Sequence, residues 1–317
     1  MLMVTILSLL SCFAIGFVLG IFWGNARGIP LLQKKDFQWS IGIYSGASPF
    51  DLSAPSNLNN PVLTARDITD VRADFVADPF MILENNTWYM FFEVMSKRGE
   101  IGLAQSSDGL HWDYQQIVLR EPFHLSYPYV FKWENEYYMI PEATQSNSVR
   151  LYKAVDFPLK WSCVSILLKG RGFRDSSVVY FQDKWWMFTA VSSDVLLLYH
   201  AETLFGPWIL HPQSPVIMGD YKRTRPAGKV ILFQDRIIRF AQDGSRHYGN
   251  SVSAFEITEL TATSYREREV RGVPILQASG SGWNAKGMHH VDLHQVSDTH
   301  WIACVDGYRE GLVFGPK

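Results

Sequence analysis

The sequence predicts an all-β fold, a five-bladed β-propeller, and three observations carry that expectation. A 17-residue hairpin pattern occurs five times: ADPFMILENNTWYMFFE (77–93), SYPYVFKWENEYYMIPE (126–142), RDSSVVYFQDKWWMFTA (174–190), PAGKVILFQDRIIRFAQ (226–242) and, more weakly, HVDLHQVSDTHWIACVD (290–306). The copies start 49, 48, 52 and 64 residues apart, close to the period of propeller blades. Each copy carries turn formers at its centre (Asn85-Asn86, Glu134-Asn135, Gln182-Asp183, Gln234-Asp235, Ser297-Asp298), residues that tolerate the positive φ of tight hairpins.

The elements follow in order. Residues 1–23 carry no charged side chain and are mostly apolar, enough to span ~30 Å of hydrocarbon as a helix. With no basic n-region and a long apolar run, this segment reads as an uncleaved single anchor rather than a signal peptide. Residues 24–36 form a stalk, and 37–317 the propeller. Arg27, Lys34 and Lys35 follow the span, so the positive-inside rule places the globular part on the cytoplasmic side. The sequon Asn85-Asn86-Thr87 would matter only on the lumenal side, and the orientation stays open between the two. Each of the first three hairpins is followed by a third strand and a polar turn: 101–112, 149–161 and 195–208. No such strand follows the fifth copy. The matching piece, IGIYSGASPFDL (41–52), lies before the first hairpin, so it is expected to complete blade five and close the ring. The Gly-containing stretch 271–289 reads as a loop over the top face or a plain connector.

With 47% hydrophobic and 14% aromatic residues, the chain can fill the gaps between stacked blades. A net charge of −2 gives no electrostatic reason to expect a nucleic-acid partner. Three cysteines exclude a disulfide framework, and Cys163 and Cys304 are expected to be buried small hydrophobes. Phosphate-loop, Cys-x-x-Cys, His-Glu-x-x-His and Gly-x-Ser-x-Gly motifs are absent, and no cofactor or metal is expected.

In a propeller the first and last residues of each hairpin meet at the axis. The second residues of the copies are Asp78, Tyr127, Asp175, Ala227 and Val291; the opposite ends hold Glu93, Glu142, Ala190, Gln242 and Asp306. Arg174, Arg225, Asp243, His289, His290 and Asp292 lie close by. Five carboxylates among ten paired positions suggest a functional funnel, although such groups also cap strands and bind amides of the neighbouring blade. His289 and His290 are adjacent, and on a strand at most one of them can face the axis.

Ala77-Asp78-Pro79-Phe80, with Trp88-Tyr89-Met90-Phe91, resembles the first-blade motif of five-bladed glycosidases of family 43 and its relatives in families 32 and 68. The resemblance implies a catalytic role for Asp78. Arg174-Asp175-Ser176 resembles their third-blade motif, which implies that Asp175 tunes a pKa or holds sugar hydroxyls. The sequence departs where those enzymes carry the general acid, reading Arg225-Pro226-Ala227-Gly228. An arginine donates no proton at neutral pH but can clamp an anionic group. Glu142 is the candidate replacement acid from another blade. The runs SYPYVF, YYMIPEA, VRLYKAVDFPLKW, RPAG and RFAQDGSRHYGNSVSAFEI, within a match over 37–310, are similar to the N-terminal domain family of plant glucosamine inositolphosphorylceramide transferases. That resemblance implies a glycan- or glycolipid-associated propeller, with the transfer itself expected of a separate glycosyltransferase.

The expected function is therefore a membrane-anchored carbohydrate-active propeller in glycoconjugate synthesis or remodelling. Its partners would be an anionic glycan or glycolipid, the bilayer and a separate glycosyltransferase. Catalysis would fall to Asp78, Asp175 and Glu142, and ligand binding to Arg174, Arg225, Tyr127, Glu93, Asp243, His289 and His290. Three alternatives stand beside it: an inactive sugar-binding scaffold, a family 43-like hydrolase with a relocated acid, and a protein-interaction propeller whose rim carboxylates are all consumed by interblade hydrogen bonds.

Overall fold

The computed structural model describes residues 32–314, preceded by Ser11 and residues 15–16. The expected anchor over 1–23 otherwise lies outside the described residues, and the strand Leu32–Ser48 begins within the segment expected as a stalk. Among the described residues no helix is long and apolar enough to cross a membrane. The compact unit Trp39–Arg309 contains blades one to four and the larger part of blade five; a second unit takes in Met1–Gln38 and Glu310–Lys317.

Turn chemistry builds the blades. Asn85-Asn86, Glu134-Asn135, Gln182-Asp183 and Gln234-Asp235 all have both φ values between 49° and 62°, the left-handed pair that matches strand twist in a two-residue hairpin. The fifth turn differs. Ser297 pairs with His300, so the connection is Asp298-Thr299 and not Ser297-Asp298; a register shift between Gln295 and Ser297 moves the turn one residue along.

Blade one runs outward through Phe75–Glu84, Thr87–Met95, Gly99–Ser106 and Asp113–Leu119. Blade two follows through Ser126–Trp133, Glu136–Glu142, Ser148–Asp156 and Lys160–Lys169. Blade three contains Arg174–Phe181, Lys184–Ser192 and Val195–Ala201, with two short outer strands. In blade four the inner strand is broken into Arg225–Pro226 and Ile231–Phe233, and Arg236–Asp243, Ser251–Leu260 and Tyr265–Glu269 lie outside it. Pro226 has no amide to donate to the ladder, consistent with the break. Blade five is assembled from both ends of the chain. Its order from the axis is Val291–Ser297, His300–Phe314, Leu32–Ser48 and Asp51–Ser53, so the early segment completes blade five as expected.

The core lies between blades. Phe131 and Trp133 of blade two meet Tyr180 and Trp185 of blade three in tilted and edge-on ring contacts, at centroid distances of 4.7–5.8 Å. Ile41 and Ile43 of the closing strand are fully buried against Met81, Met90 and Ile302, in the layer between blades five and one. The stretch 271–289 connects blades four and five; it contributes a short strand to blade four, and Trp283 packs into the layer between them. One cysteine expectation fails. Cys304 is buried, but Cys163 is exposed, because it lies on the outermost strand of blade two, where side chains meet water.

Candidate functional site at the propeller axis

Three hairpins start with the same distortion. Asp78, Tyr127 and Asp175 have φ of 53°, 45° and 48°, and the ladder slips beside each of them. Left-handed backbone at a non-glycine residue costs on the order of 1–3 kcal/mol, and bulges of this kind redirect side chains. Here they leave each blade-start amide unpaired within its own blade. The neighbouring blade satisfies it. Asp306 Oδ2 accepts from the Asp78 amide (3.0 Å), Asp78 Oδ2 from the Tyr127 amide (3.2 Å), and Glu142 Oε2 from the Asp175 amide (3.1 Å). A carboxylate relay thus runs from blade five to blade three.

Asp175 is held hardest. Its Oδ2 accepts from Arg225 Nε at 2.6 Å and from Gln242 Nε2 at 3.2 Å, while Arg225 also lies 3.7 Å from Glu142. Glu142 further accepts from Thr144 Oγ1 (2.8 Å). The Arg225 guanidinium, expected to be free to clamp a ligand, is therefore occupied by two carboxylates. Its plane lies over the Tyr248 ring, 5.3 Å from the centroid.

Both histidines face the axial cluster, contrary to the alternation expected of a strand. The strand begins only at Val291, so residues 289 and 290 are irregular and need not alternate. His289 Nδ1 lies 2.7 Å from Asp306 Oδ1, and its Nε2 lies 3.0 Å from the Tyr248 hydroxyl. Trp39 covers the His289 ring at 4.1 Å. His290 Nε2 donates to the Pro79 carbonyl (2.9 Å), and its buried Nδ1 has no hydrogen-bond partner. The two rings lie 3.6 Å and 4.0 Å from Asp78 Oδ1.

Below this layer the axis is closed. Tyr127 reaches across from blade two, its hydroxyl bonding Ser177, the Gly228 carbonyl (3.0 Å) and the Gly228 amide (2.7 Å). Phe80, Tyr127 and His290 pack edge-to-face at 4.5–5.3 Å. Gly228 has φ 144°, and a Cβ there would fall 1.8 Å from the Val291 carbonyl oxygen. Deeper still, Asp292 Oδ2 accepts from the Met81 amide (2.6 Å) and pairs with Lys229 (3.1 Å) and His294 (3.0 Å). A ligand of the funnel would enter and leave by the blade-start end.

Burial decides the protonation of the upper layer. It pushes Asp78 up to about 7, against the pull of His289 and with help from Asp306 and Asp175. It pushes Asp175 up to about 7 despite Arg225. It also raises Glu93 well above the ordinary glutamate range, with Asp78 and Glu142 adding to the effect. Glu93 lies 3.3 Å from His124 Nε2, and His124 Nδ1 accepts from the Gly99 amide. Burial also works against charge on His289 and ionisation of Asp306, but their mutual attraction wins: His289 is raised and Asp306 lowered. For His290 burial outweighs the pull of Asp306 and Asp292 and lowers it to about 4. In Asp292 burial is outweighed by Lys229 and His294, which bring it to about 2. The layer therefore contains carboxyls able to give and take protons near neutrality.

The other expected residues divide. Tyr127 closes the floor. Arg174 is half-buried at the start of blade three, and its guanidinium joins none of the ion pairs among the described residues. Asp243 is not drawn into the relay; its Oδ1 accepts from the Ser245 amide (2.8 Å) and shapes the 243–250 loop. That loop brings Tyr248 to the site. Together with Trp39 and His124, Tyr248 was not legible as a site residue, because these three lie outside the repeated pattern; Lys229 lies within the fourth copy but away from its paired ends. Asp78, His289 and Asp306 also offer ligand atoms within 4.8 Å of one another, a set able to hold a metal ion. Beside Arg225 lies a recess of about 210 Å³, lined by Ser193, Tyr221, Arg225, Gln242, Gly244 and Tyr248. It is smaller than the ~300–1,000 Å³ typical of drug-sized ligands and open beside the exposed rings of Tyr221 and Tyr248.

A closed five-bladed ring with a carboxylate-lined axial funnel defines the class: a five-bladed β-propeller of the architecture used by glycoside hydrolases. Among solved structures it is similar to a family 117 glycoside hydrolase of Zobellia galactanivorans, with a TM-score of 0.53 and 16% identity over 86% of this chain and 91% of that one. The catalytic domain of the Coprinopsis cinerea GH62 α-L-arabinofuranosidase matches with a TM-score of 0.56 and 12% identity, over 85% of this chain and 96% of that one. At these identities the likeness is one of fold. The chain belongs to the family described as Glucosamine inositolphosphorylceramide transferase 1, N-terminal, whose model matches residues 32–308. It is 35% identical to glucosamine inositolphosphorylceramide transferase 1 of Oryza sativa subsp. japonica, over 90% of this chain and 42% of that protein. The chain thus spans about two fifths of the length of the curated relatives it matches.

Proposed function

We propose that this propeller binds a glycan or glycolipid headgroup at the blade-start end of its axis and serves glycoconjugate synthesis or remodelling beside a separate glycosyltransferase. The observation that carries this reading is the Arg225–Asp175 pair at 2.6 Å, with Glu142 at 3.7 Å. Ordinary glycoside cleavage needs two carboxyl groups free to flank the bond. Here the two carboxyls nearest the position of the missing acid are tied to an arginine and to a backbone amide. The exposed faces of Tyr221 and Tyr248 beside the 210 Å³ recess suit the apolar face of a sugar ring. The family relationship supports a role in sphingolipid glycosylation, and the apolar segment 1–23 would hold the domain at a bilayer, with the positive-inside rule favouring the cytoplasmic face.

One observation favours a second reading, turnover. Asp78 at about 7 and the raised Glu93 place acid and base capacity in the same buried layer. The two readings separate by measuring glycan binding and sugar release with wild type and Asp78→Asn. Binding by wild type without any Asp78-dependent release supports the binding module. Asp78-dependent release establishes turnover, and absence of binding to glycans or inositolphosphorylceramide glycolipids overturns both.

A further inference from the structure

A second cleft, of about 610 Å³, opens at the blade-start end of blade one, between the segment before Phe75–Glu84 and the turn after Thr87–Met95, and none of the relay residues lines it. Arg72, Lys97 and Arg98 line it, together with Asp74, Ser96 and Glu100. Arg98 is partly committed, its Nη1 donating to the Pro122 carbonyl at 2.8 Å. Arg72 and Lys97 are exposed and join none of the ion pairs among the described residues. Glu100 is the contrast. It is only 8% exposed, and its Oε1 faces Arg120 Nε at 3.3 Å, while its sheltered Oε2 has no hydrogen-bond partner. A buried carboxylate oxygen left without a donor is costly, and a bound donor would relieve it.

The cleft therefore offers two kinds of recognition side by side: uncommitted cations for an anion, and a carboxylate oxygen for a hydroxyl or amine. We propose that it binds a sugar carrying an anionic group, phosphate or carboxylate, with the anion on Arg72 and Lys97 and a ring hydroxyl or amine donating to Glu100 Oε2. The inference rests on the glycan reading above and extends it with a subsite for charge. The backbone joins the two places. Gly99, next to Glu100, donates its amide to His124, whose other ring nitrogen faces Glu93 of the axial layer. An extended acidic glycan could engage both.

Calorimetric titration of the full chain with glucose 6-phosphate, glucuronate, inorganic phosphate and glucose tests this. Glucose 6-phosphate or glucuronate should bind at least tenfold more tightly than glucose, and the tighter of the two identifies the anion. Arg72→Ala/Lys97→Ala, a double change at exposed positions, should weaken that binding at least tenfold. Glu100→Gln should weaken the sugar anion severalfold and leave inorganic phosphate unchanged. Glucose binding as tightly as both sugar anions overturns the inference, as does binding insensitive to the double variant. Loss with Asp78→Asn but not with the double variant also overturns it, leaving the axial reading intact. Loss with the double variant supports it whatever Asp78→Asn does to glycan binding at the axis, so the two readings fail separately.

Discussion

Asp175 Oδ2 receives both Nε and Nη2 of Arg225 at 2.6 Å, in a place where the carboxylate is almost fully buried. The pair converts a blade start that resembles a sugar-cleaving motif into a fixed strut between blades three and four. Removing only one partner would leave the other buried and uncompensated. Arg225→Met should therefore destabilise the fold by roughly 3–5 kcal/mol, measured by urea denaturation. A loss below about 1 kcal/mol would show that the pair is not a strut.

The relay also predicts how stability responds to pH. Asp78 titrates in the fold at about 7 and in the unfolded chain near its ordinary value of 3.8. Between those values the folded state holds the extra proton, so this group's contribution is fully present below about 4 and is lost as pH rises through 7. Asp78→Asn should narrow the stability difference between pH 5 and pH 7.5 by roughly 1–3 kcal/mol. Urea midpoints of both proteins at the two pH values check it, and an unchanged difference contradicts the assigned shift.

Asp306 and Asp292 behave in the opposite sense. Both are lowered in the fold, so their stabilisation is present above 3.8 and disappears as pH falls through their folded values. His290, held neutral with a value of about 4, adds to the same acid loss, because the unfolded chain takes up its proton first. Asp292→Asn should flatten the steep loss of stability expected below pH 4. Circular dichroism of wild type and variant from pH 5 to pH 2 provides the comparison.

Gly228→Ala should be among the most damaging single changes. Its Cβ would sit 1.8 Å from the Val291 carbonyl oxygen, and the residue also holds the Tyr127 hydroxyl at the floor of the funnel. A loss of more than about 4 kcal/mol is expected, visible as a collapsed melting transition. A variant that melts within a few degrees of wild type would mean that blades four and five can separate locally at no great cost.

The architecture was legible because strand period, turn residues and blade spacing point the same way. Asn85-Asn86 and its three counterparts specify hairpins by their own backbone preference, so no tertiary information is needed. Position along the repeat also located Asp78, Glu93, Glu142, Asp175 and Arg225 at one end of the axis. What the repeat could not convey is who bonds whom. Arg225 reads as a free cation until Asp175 is seen 2.6 Å away from another blade. His289 and His290 read as strand residues, whereas the chain straightens only at Val291. Tyr248 and His124 arrive on loops whose paths no period describes, and the relay depends on positive-φ bulges that nothing in the local residue types of Tyr127 or Asp175 announces.

The strand that completes blade five sets a timing rule for biosynthesis. Its residues around Ile41 and Ile43 leave the ribosome some 250 residues before the segment His300–Phe314 with which they pair. Contacts across such a separation form slowly. Until they form, the apolar faces around Ile41 and Ile43 and along blade four stand without their blade-five partners. Blade five is therefore the last to close, and the ring is complete only once His300–Phe314 has emerged.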